Sequence, residues 1–440
     1  MQKKLEKKLF FHNPWWKEKE VPKVFLPDFQ RPVLEKIKKY LEKLDRIIVI
    51  KGPRRTGKTT LLYQIVDFLL KSKRDPFDIL FLTFDDPCLR IDLEKIFEAY
   101  QEIREKTIDK GEIYCFLDEV HFLDNWQFVV KKYFDKKYPI KFLVSSSSAS
   151  LFKKGTESLA GRTVEEVILP FSFKEFVFYN FRQDENFLEF FKKRQLSPYE
   201  NEIKILFKNY LIKGGFPHLL SVKEPFLWQK LLREDVLEKV IYRDLVSLYN
   251  IREPQKLERM FTYLADISGQ VLNISNLAKN VGLTRIYTEN YLTYLEKAYL
   301  IFRFNNFSFS SGKKIRSSSK VYLSDSGLIN LFGNASSDFI LESIVARELL
   351  GREGVKTHYF RDKYEVDFVL KEQKRLIPIE VKNKTKLNNQ DFKGLLCFMK
   401  EFRVKKGILL SQNTFEERSY DNGFKVKVLP VWHWLLFGEE

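Results

Sequence analysis

The 440-residue sequence has few cysteines and histidines, three and five respectively. Cys88, Cys115 and Cys397 lie far apart and form no CxxC pair, so neither a disulfide framework nor a structural zinc site is supported. No run approaches the roughly 18 apolar residues of a spanning helix, and the basic start lacks the apolar segment of a secretion signal. We therefore expect a cytoplasmic protein that neither crosses nor enters a membrane.

Positive charge and aromatic residues are abundant instead. Lysine and arginine number 76 against 59 acidic residues, which gives a formal net charge of +17. Such an excess suits an anionic partner such as nucleic acid, a nucleotide or a membrane surface. The 44% hydrophobic content, with 41 phenylalanines, is typical of a globular chain, and the length predicts two to four domains.

Strands and helices alternate in the first 170 residues after the opening segment. Apolar residues at helical spacing predict helices over 31–44, 58–71 and 92–103, and apolar runs predict strands over 46–52, 79–86, 112–120 and 140–148. Because the strands are apolar throughout, they favour a parallel sheet buried on both faces. The sequence therefore predicts an α/β fold of the nucleotide-binding type.

A glycine-rich segment lies between the first predicted strand and the helix that follows. Residues 52–59, GPRRTGKT, match the pattern GxxxxGK[ST] in full. Backbone N–H groups of such a loop surround phosphates, while Lys58 adds charge and Thr59 offers a hydroxyl to Mg²⁺. This predicts a site for ATP and Mg²⁺. The expected nucleotide-binding residues are Gly52, Pro53, Arg54, Arg55, Thr56, Gly57, Lys58, Thr59 and Thr60.

Acidic and hydroxyl side chains follow two later strands. In YCFLDE, Asp118 is expected to hold Mg²⁺ with Thr59, and Glu119 to polarise the attacking water. Ser145 to Ser148 end the next strand, where Ser145 could sense the γ-phosphate, although serines also form ordinary turns. Arg162 could contact phosphate in cis or across a subunit boundary, or serve only as a surface ion-pair partner.

Several short motifs together resemble one family. They are NPWW (13–16), GPRRTGKTTLL, FLDEVHFLDNW, the serine run, LAGR, LPFSFKEF (169–176), GGFP (214–217) and YRDL (242–245). In order and spacing they resemble archaeal and bacterial AAA+-type P-loop ATPases with a C-terminal domain of unknown function. The resemblance implies an AAA+ core, a helical lid, a winged helix and a restriction-endonuclease-like domain. Ser146 departs from the family, where glycine is more usual.

A helix-turn-helix is predicted in residues 273–301, with Gly282 in the turn. Its second helix would present Arg285 outward. The loop between the next two strands is basic, and its candidate DNA-contacting residues are Lys313, Lys314, Arg316 and Lys320. Packing or dimerisation is the alternative role, because Glu289 on the same helix would repel phosphate.

The tail carries the PD-(D/E)xK pattern of metal-dependent nucleases. Glu342 lies on a predicted helix, Asp367 on a strand, and Glu380 and Lys382 on the next strand. Converging carboxylates would bind Mg²⁺ or Mn²⁺, and Lys382 would position water or stabilise the phosphorane charge. A nuclease-like domain that only binds DNA or protein is the alternative.

These patterns together predict five parts. They are an N-terminal extension (1–30), the ATPase core (31–170), a helical subdomain (171–256), a winged helix (257–335) and a nuclease-like domain (336–440). We expect an ATPase that couples ATP hydrolysis to binding, remodelling or cleavage of DNA. The alternative is a nucleotide-gated switch that binds a protein partner or operator DNA without cleavage, and a homo-oligomer stays open. For a protein-remodelling ATPase, the sequence offers no convincing threading loop.

Overall fold

The computed structural model describes residues 2–147, 159–309 and 318–439. The chain divides into two compact units. The first unit comprises Met1–Leu169 and Asp244–Asn250, and the second comprises Pro170–Arg243 and Ile251–Glu440.

A five-stranded parallel sheet forms the centre of the first unit, and it confirms the predicted α/β fold. Its strands lie in the order β2-β3-β4-β1-β5, and every neighbouring pair is parallel. The strands are β1 (Ile47–Gly52), β2 (Ile79–Thr83), β3 (Ile113–Asp118), β4 (Ile140–Ser147) and β5 (Thr163–Val167). Nearly every residue of the first four strands is buried, because parallel strands are covered on both faces. β4 lies between β1 and β3, so it brings its serines between the glycine-rich loop and the Asp118 end of β3.

Helices of the first unit agree closely with the predicted ranges where a range was predicted. They are α1 (Gln2–His12), α2 (Trp15–Glu18), α3 (Val33–Lys43), α4 (Lys58–Lys71), α5 (Leu93–Arg104) and α6 (Trp126–Asp135).

The residues expected as an N-terminal extension are part of the first unit's core. Asn13 accepts the Phe81 N–H at 2.6 Å and donates its amide to the Phe81 carbonyl at 3.0 Å. The indole N–H groups of Trp15 and Trp16 both donate to the carbonyl of Ile79. These bonds satisfy backbone groups of β2, one of the two edge strands of the sheet, and so protect that edge from pairing with another chain.

Helices make up the middle of the chain, as the sequence predicted. They are α7 (Phe173–Asn180), α8 (Glu185–Lys192), α9 (Glu200–Lys213), α10 (Pro225–Arg233), a π-helical segment (Glu234–Leu245), α11 (Val246–Tyr249) and α12 (Pro254–Asp266). The π-helical segment runs into the short stretch, Asp244–Asn250, that belongs to the first unit.

Two helices and a small antiparallel sheet follow in the second unit. α13 (Ile274–Val281) and α14 (Arg285–Lys297) are joined at Gly282, whose φ of 71° is a left-handed conformation that favours glycine. The sheet contains β6 (Gln270–Val271), β7 (Ile301–Asn305) and β8 (Ser319–Leu323), with β8 in the centre. The predicted helix pair and the two strands after it are therefore present.

A six-stranded mixed sheet closes the chain. Its order is β13-β14-β12-β11-β10-β9, with strands β9 (Lys356–Arg361), β10 (Glu365–Glu372), β11 (Arg375–Val381), β12 (Lys406–Ser411), β13 (Glu416–Tyr420) and β14 (Phe424–Pro430). The accompanying helices are α15 (Ser326–Phe332), α16 (Ser337–Leu350), α17 (Lys393–Glu401) and α18 (Val431–Phe437). Phe368 and Leu370 of β10 pack in one apolar cluster with α16, and Val369 packs in another with α17. Helices thus cover both faces of this sheet.

Candidate functional site

The glycine-rich loop joins the carboxyl end of β1 to the first turn of α4. A Cβ atom on Gly52 would lie 2.1 Å from the carbonyl oxygen of Ile168, so only glycine fits there. Gly57 precedes α4 with a φ of 91°, and a Cβ atom at this position would meet no atom within 4 Å. Because glycine has no side chain to cap the helix, the first-turn N–H groups are presented to the open space beside the loop. The local geometry is that of an anion site.

Lys58 is held inside this loop. Its side chain is buried, and its ammonium donates to the carbonyls of Gly52 at 3.0 Å and Pro53 at 2.9 Å. Burial lowers the pKa of Lys58, while the nearby charges of Glu119 and Asp118 oppose that shift. The positive charge therefore lies where the loop backbone curls. Thr56 is also buried and donates its hydroxyl to the Pro53 carbonyl at 2.9 Å.

Asp118 brings together the hydroxyl groups from two other elements. Thr59 at the start of α4 donates to Asp118 Oδ2 at 2.9 Å, and Ser145 of β4 donates to Asp118 Oδ1. Asp118 is only 2% exposed, and burial together with Glu119 raises its pKa to about 7. The structure thus joins the two residues predicted to bind metal and the predicted sensor serine at one carboxylate.

Glu119 follows Asp118 directly and has a left-handed backbone conformation, with a φ of 52°. Its carboxylate accepts the Ser147 N–H at 3.1 Å, lies 3.1 Å from His121 Nδ1, and is 3.9 Å from the Lys58 ammonium. Burial alone would raise the pKa of Glu119, but Lys58 and His121 outweigh burial and hold it below its usual range. Glu119 is therefore ionised at neutral pH, as a proton acceptor requires.

His121 is a residue of this site that the sequence did not single out. Besides Glu119, its Nδ1 lies 3.3 Å from the hydroxyl of Ser146. It follows Glu119 by two residues in the motif FLDEVHFLDNW, and that proximity is the signal that could have identified it.

Arg54 has a partner that is distant in sequence. Its guanidinium makes two hydrogen bonds to the Asp244 carboxylate, at 2.5 and 3.0 Å. Asp244 begins the short stretch of the first unit that is flanked on both sides by residues of the second unit. The motif YRDL contains Asp244, but nothing in its local pattern indicates which residue it pairs with.

Arg162 pairs with Asp135 rather than with a residue of the loop in the contacts of this structure. Its guanidinium makes hydrogen bonds of 2.6 and 3.0 Å to that carboxylate, and the two side chains are 32% and 40% exposed. This is the surface ion pair that the sequence left open as the alternative. Ser148, the last of the four serines, lies outside the described residues.

The four residues of the PD-(D/E)xK pattern also come together, in the second unit. Glu342 lies on α16, Asp367 on β10 and Glu380 on β11, and all three are buried. Asp367 donates its N–H to Glu380 at 3.4 Å, and Lys382 donates to Glu380 at 2.5 Å. Burial and the charge of Asp367 raise the pKa of both Glu342 and Glu380 to about 8.

Lys320 requires a correction. We expected it in an exposed basic loop, but it lies on β8, is 2% exposed, and contacts Glu342 and Asp367. A buried lysine cannot reach a phosphate backbone, and its ammonium is already paired with carboxylates. Strand alternation places Lys320 on the same side as Tyr322, which donates to Glu342 at 2.7 Å.

Of the other proposed DNA-contacting residues, the structure describes Arg285. Arg285 is exposed at the start of α14 and lies 3.2 Å from Glu289, one turn later. Lys313, Lys314 and Arg316 lie outside the described residues.

Comparison with known proteins places this chain in a family. Residues 44–177 match the model described as "AAA domain", which contains the loop, Asp118, Glu119 and Ser145. Residues 204–338 and 337–434 match two models described as domains of unknown function, DUF8612 and DUF4143. "Uncharacterized protein MJ1544" of Methanocaldococcus jannaschii is 30% identical over 411 residues, covering 89% of this chain and 88% of the relative. The chain belongs to the family of this archaeal protein.

Other similarities extend over comparable lengths. An "Uncharacterized protein" of Haemophilus influenzae is 26% identical over 404 residues, covering 89% of this chain and 94% of that protein. Among solved structures, the Aeropyrum pernix ORC1 protein in complex with DNA is 10% identical, and the match covers 77% of this chain and 97% of that chain. Its TM-score of 0.32 is too low to indicate a shared function. The AAA domain in the resemblance is confirmed by the model that matches residues 44–177.

Within residues 2–147, 159–309 and 318–439, no helix has both the length and the apolar character that crossing a membrane requires.

Proposed function

We propose that the first unit binds ATP with Mg²⁺ and hydrolyses it. The observation that carries this proposal is the connected set formed by the glycine-rich loop, Lys58, Thr59, Asp118 and Glu119. Their contacts place a buried cation, a hydroxyl–carboxylate pair and an ionised glutamate around one helix N-terminus. The match of residues 44–177 to an AAA domain supports the same activity.

The residues present fit a nucleotide and a magnesium ion. Open space at Gly57 and the first-turn N–H groups of α4 suit the phosphates, and the oxygens of Thr59 and Asp118 are the hard ligands that Mg²⁺ prefers. Bound Mg²⁺ would neutralise charge on the phosphate oxygens. Lys58 would pair with the β- and γ-phosphates, and Glu119 would take the proton of the attacking water. Ser145 would orient Asp118 through the hydrogen bond that it already makes.

Binding of a non-hydrolysable ATP analogue to the full chain, measured by calorimetry with and without Mg²⁺, tests the first step. We expect one site per chain whose affinity rises when Mg²⁺ is present. Equal heat with ATP analogue and with an uncharged nucleoside would contradict a phosphate-binding loop.

Arg54 gives a prediction about the strength of this binding. Asp244→Asn removes a negative charge from beside the loop and frees the Arg54 guanidinium for phosphate. Two unit charges about 4 Å apart in water interact with about 1 kcal/mol, so we expect ATP affinity to rise by about fivefold. Asp67→Asn on α4 is the matched control, because it breaks a similar ion pair with the exposed Lys71. Weaker ATP binding by Asp244→Asn alone would show that Arg54 must stay on Asp244 for the loop to form.

For the second unit, we propose DNA binding by the α13–α14 pair and the segment after β7. Support comes from the net charge of +17, from the exposed Arg285 at the start of α14, and from the family resemblance, which implies a winged helix and a restriction-endonuclease-like domain. The ATPase would then couple its nucleotide state to DNA binding or remodelling. A switch that binds a protein partner is the alternative. The five-part division predicted from the sequence, a homo-oligomer and an Arg162 role across subunits remain predictions.

Cleavage of DNA is the least supported of these activities. Its metal site would require the carboxylates of Glu342, Asp367 and Glu380, and their present contacts favour a cluster that already contains its own cations.

Neutralising the basic residues between β7 and β8 tests the DNA proposal. The triple variant Lys313→Gln, Lys314→Gln, Arg316→Gln leaves the buried Lys320 unchanged. Each lost phosphate contact is expected to reduce the slope of log K against log salt by roughly 0.9, so a fluorescence titration with duplex DNA at several salt concentrations measures the change. Lys23→Gln, Lys39→Gln, Lys43→Gln is a control of equal charge in the first unit. An identical loss in both variants would indicate only a general charge effect.

A further inference from the structure

The carboxylates of the PD-(D/E)xK pattern already have hydrogen-bond donors where a divalent metal ion would bind. Asp367 Oδ2 accepts the Val381 N–H at 2.9 Å, and Asp367 Oδ1 lies 3.5 Å from the Lys320 ammonium. Glu380 Oε1 accepts from Lys382, and its Oε2 accepts the Asp367 N–H. Both oxygens of each carboxylate therefore face donors of the protein itself. Across the described part of the chain, no three His, Cys, Asp or Glu side chains are arranged to share one metal ion. The arrangement does not fit the expected ion.

A lysine occupies the centre of the cluster instead. The Lys320 ammonium lies 2.7 Å from Glu365, 3.0 Å from Glu342 and 3.5 Å from Asp367. It is 2% exposed, so its charge is screened little by water. Tyr322, two residues further on β8, donates to the same Glu342 oxygen that Lys320 contacts. One strand thus delivers an ammonium and a hydroxyl to the carboxylates.

Charge explains why the cluster needs this lysine. Glu342 and Asp367 are buried and the Glu365 side chain is 38% exposed, so without a cation between them these carboxylates would repel one another. The Lys320 ammonium contacts all three of them. Lys382 does the same for Glu380 on the neighbouring strand. The protein therefore supplies from its own side chains the positive charge that a nuclease takes from metal ions.

We propose that Lys320 is the resident cation of the Glu342, Glu365 and Asp367 cluster and stands in for a divalent metal ion. The cluster is then a junction of ion pairs that connects β8 to α16 and β10 and stabilises their packing. It binds no divalent metal and makes no metal-dependent cut in DNA while Lys320 is in place. Removing the ammonium both loosens the junction and opens a carboxylate site for a metal ion.

Manganese binding to the nucleotide-free full chain, followed by electron paramagnetic resonance, tests this directly. Wild type and Asp367→Asn are expected to retain equal amounts of Mn²⁺, because the cluster contributes no site. Lys320→Met is expected to gain a site that the double variant Lys320→Met, Asp367→Asn lacks. If Asp367→Asn lowers the Mn²⁺ bound by the wild-type chain, the cluster is a metal site and the proposal is wrong.

Thermal unfolding provides the second arm and does not depend on metal binding. Lys320→Met leaves buried carboxylates without their cation, so we expect its melting temperature to fall by roughly 5 °C or more. Lys320→Arg keeps the charge and should lose less, and Lys406→Met, at an exposed position on β12, should melt like wild type. If Lys320→Met is too unstable to purify while Lys320→Arg folds, the need for a cation is supported. Melting of Lys320→Met within one degree of wild type overturns the proposal.

Discussion

Lys58→Ala is expected to abolish ATP hydrolysis and to weaken ATP binding greatly. The substitution removes the single ammonium that the loop encloses, where a phosphate charge would otherwise face buried backbone. Removing one preorganised donor to transition-state charge costs about 10²–10³-fold in turnover, and the loss of bound ATP reduces hydrolysis further. Phosphate release and calorimetric titration with ATP measure the two effects.

The control for Lys58→Ala is Lys71→Ala. Lys71 ends the same helix, but it is mostly exposed and paired with Asp67. We expect Lys71→Ala to hydrolyse ATP at the wild-type rate. Melting curves of both variants separate loss of the site from loss of the fold, because Lys58 also satisfies two loop carbonyls. Wild-type turnover in a folded Lys58→Ala chain would end the assignment of the loop.

Glu119→Gln is expected to separate binding from hydrolysis. The glutamine amide oxygen can still accept the Ser147 N–H, and Lys58, Thr59 and Asp118 are unchanged. Removing a negative charge 3.9 Å from Lys58 does not oppose phosphate binding. Without a carboxylate to take the water proton, turnover should fall by about 10²–10⁴-fold while ATP still binds.

Glu98→Gln on the exposed face of α5 is the matched control, and it should keep full turnover. Binding and hydrolysis lost together in Glu119→Gln, as in Lys58→Ala, would contradict the separate roles of these two residues.

Local patterns predicted the centre of the first unit well. The apolar runs of β1 to β4 and the spacing of GPRRTGKT depend only on neighbouring residues, so they can be recognised from the sequence alone. β5 was missed because Thr163–Val167 contains two glutamates and lies at the partly exposed sheet edge. The chain end with β13, β14 and α18 was missed as well, because β13 begins with three consecutive charged residues, a pattern more typical of a loop.

Long-range partners account for most of what the sequence could not predict. Arg54 and Asp244 are 190 residues apart, and no periodicity connects them. We predicted that Lys320 belongs to the basic loop because the lysines and the arginine before it are close in sequence. Its position in the mostly apolar strand SKVYL, two residues before Tyr322 and on the same face, was the signal for burial. Only the fold shows that Glu342 and Asp367 lie next to it.

Phosphate release from ATP by the purified full chain, with Mg²⁺ and then with excess chelator, tests the central claim most directly. The predicted result is steady turnover with Mg²⁺ that stops on chelation and is absent from Lys58→Ala. Phosphate release at an equal rate in wild type and Lys58→Ala, or none from wild type that binds ATP and Mg²⁺, would contradict an ATPase at this site.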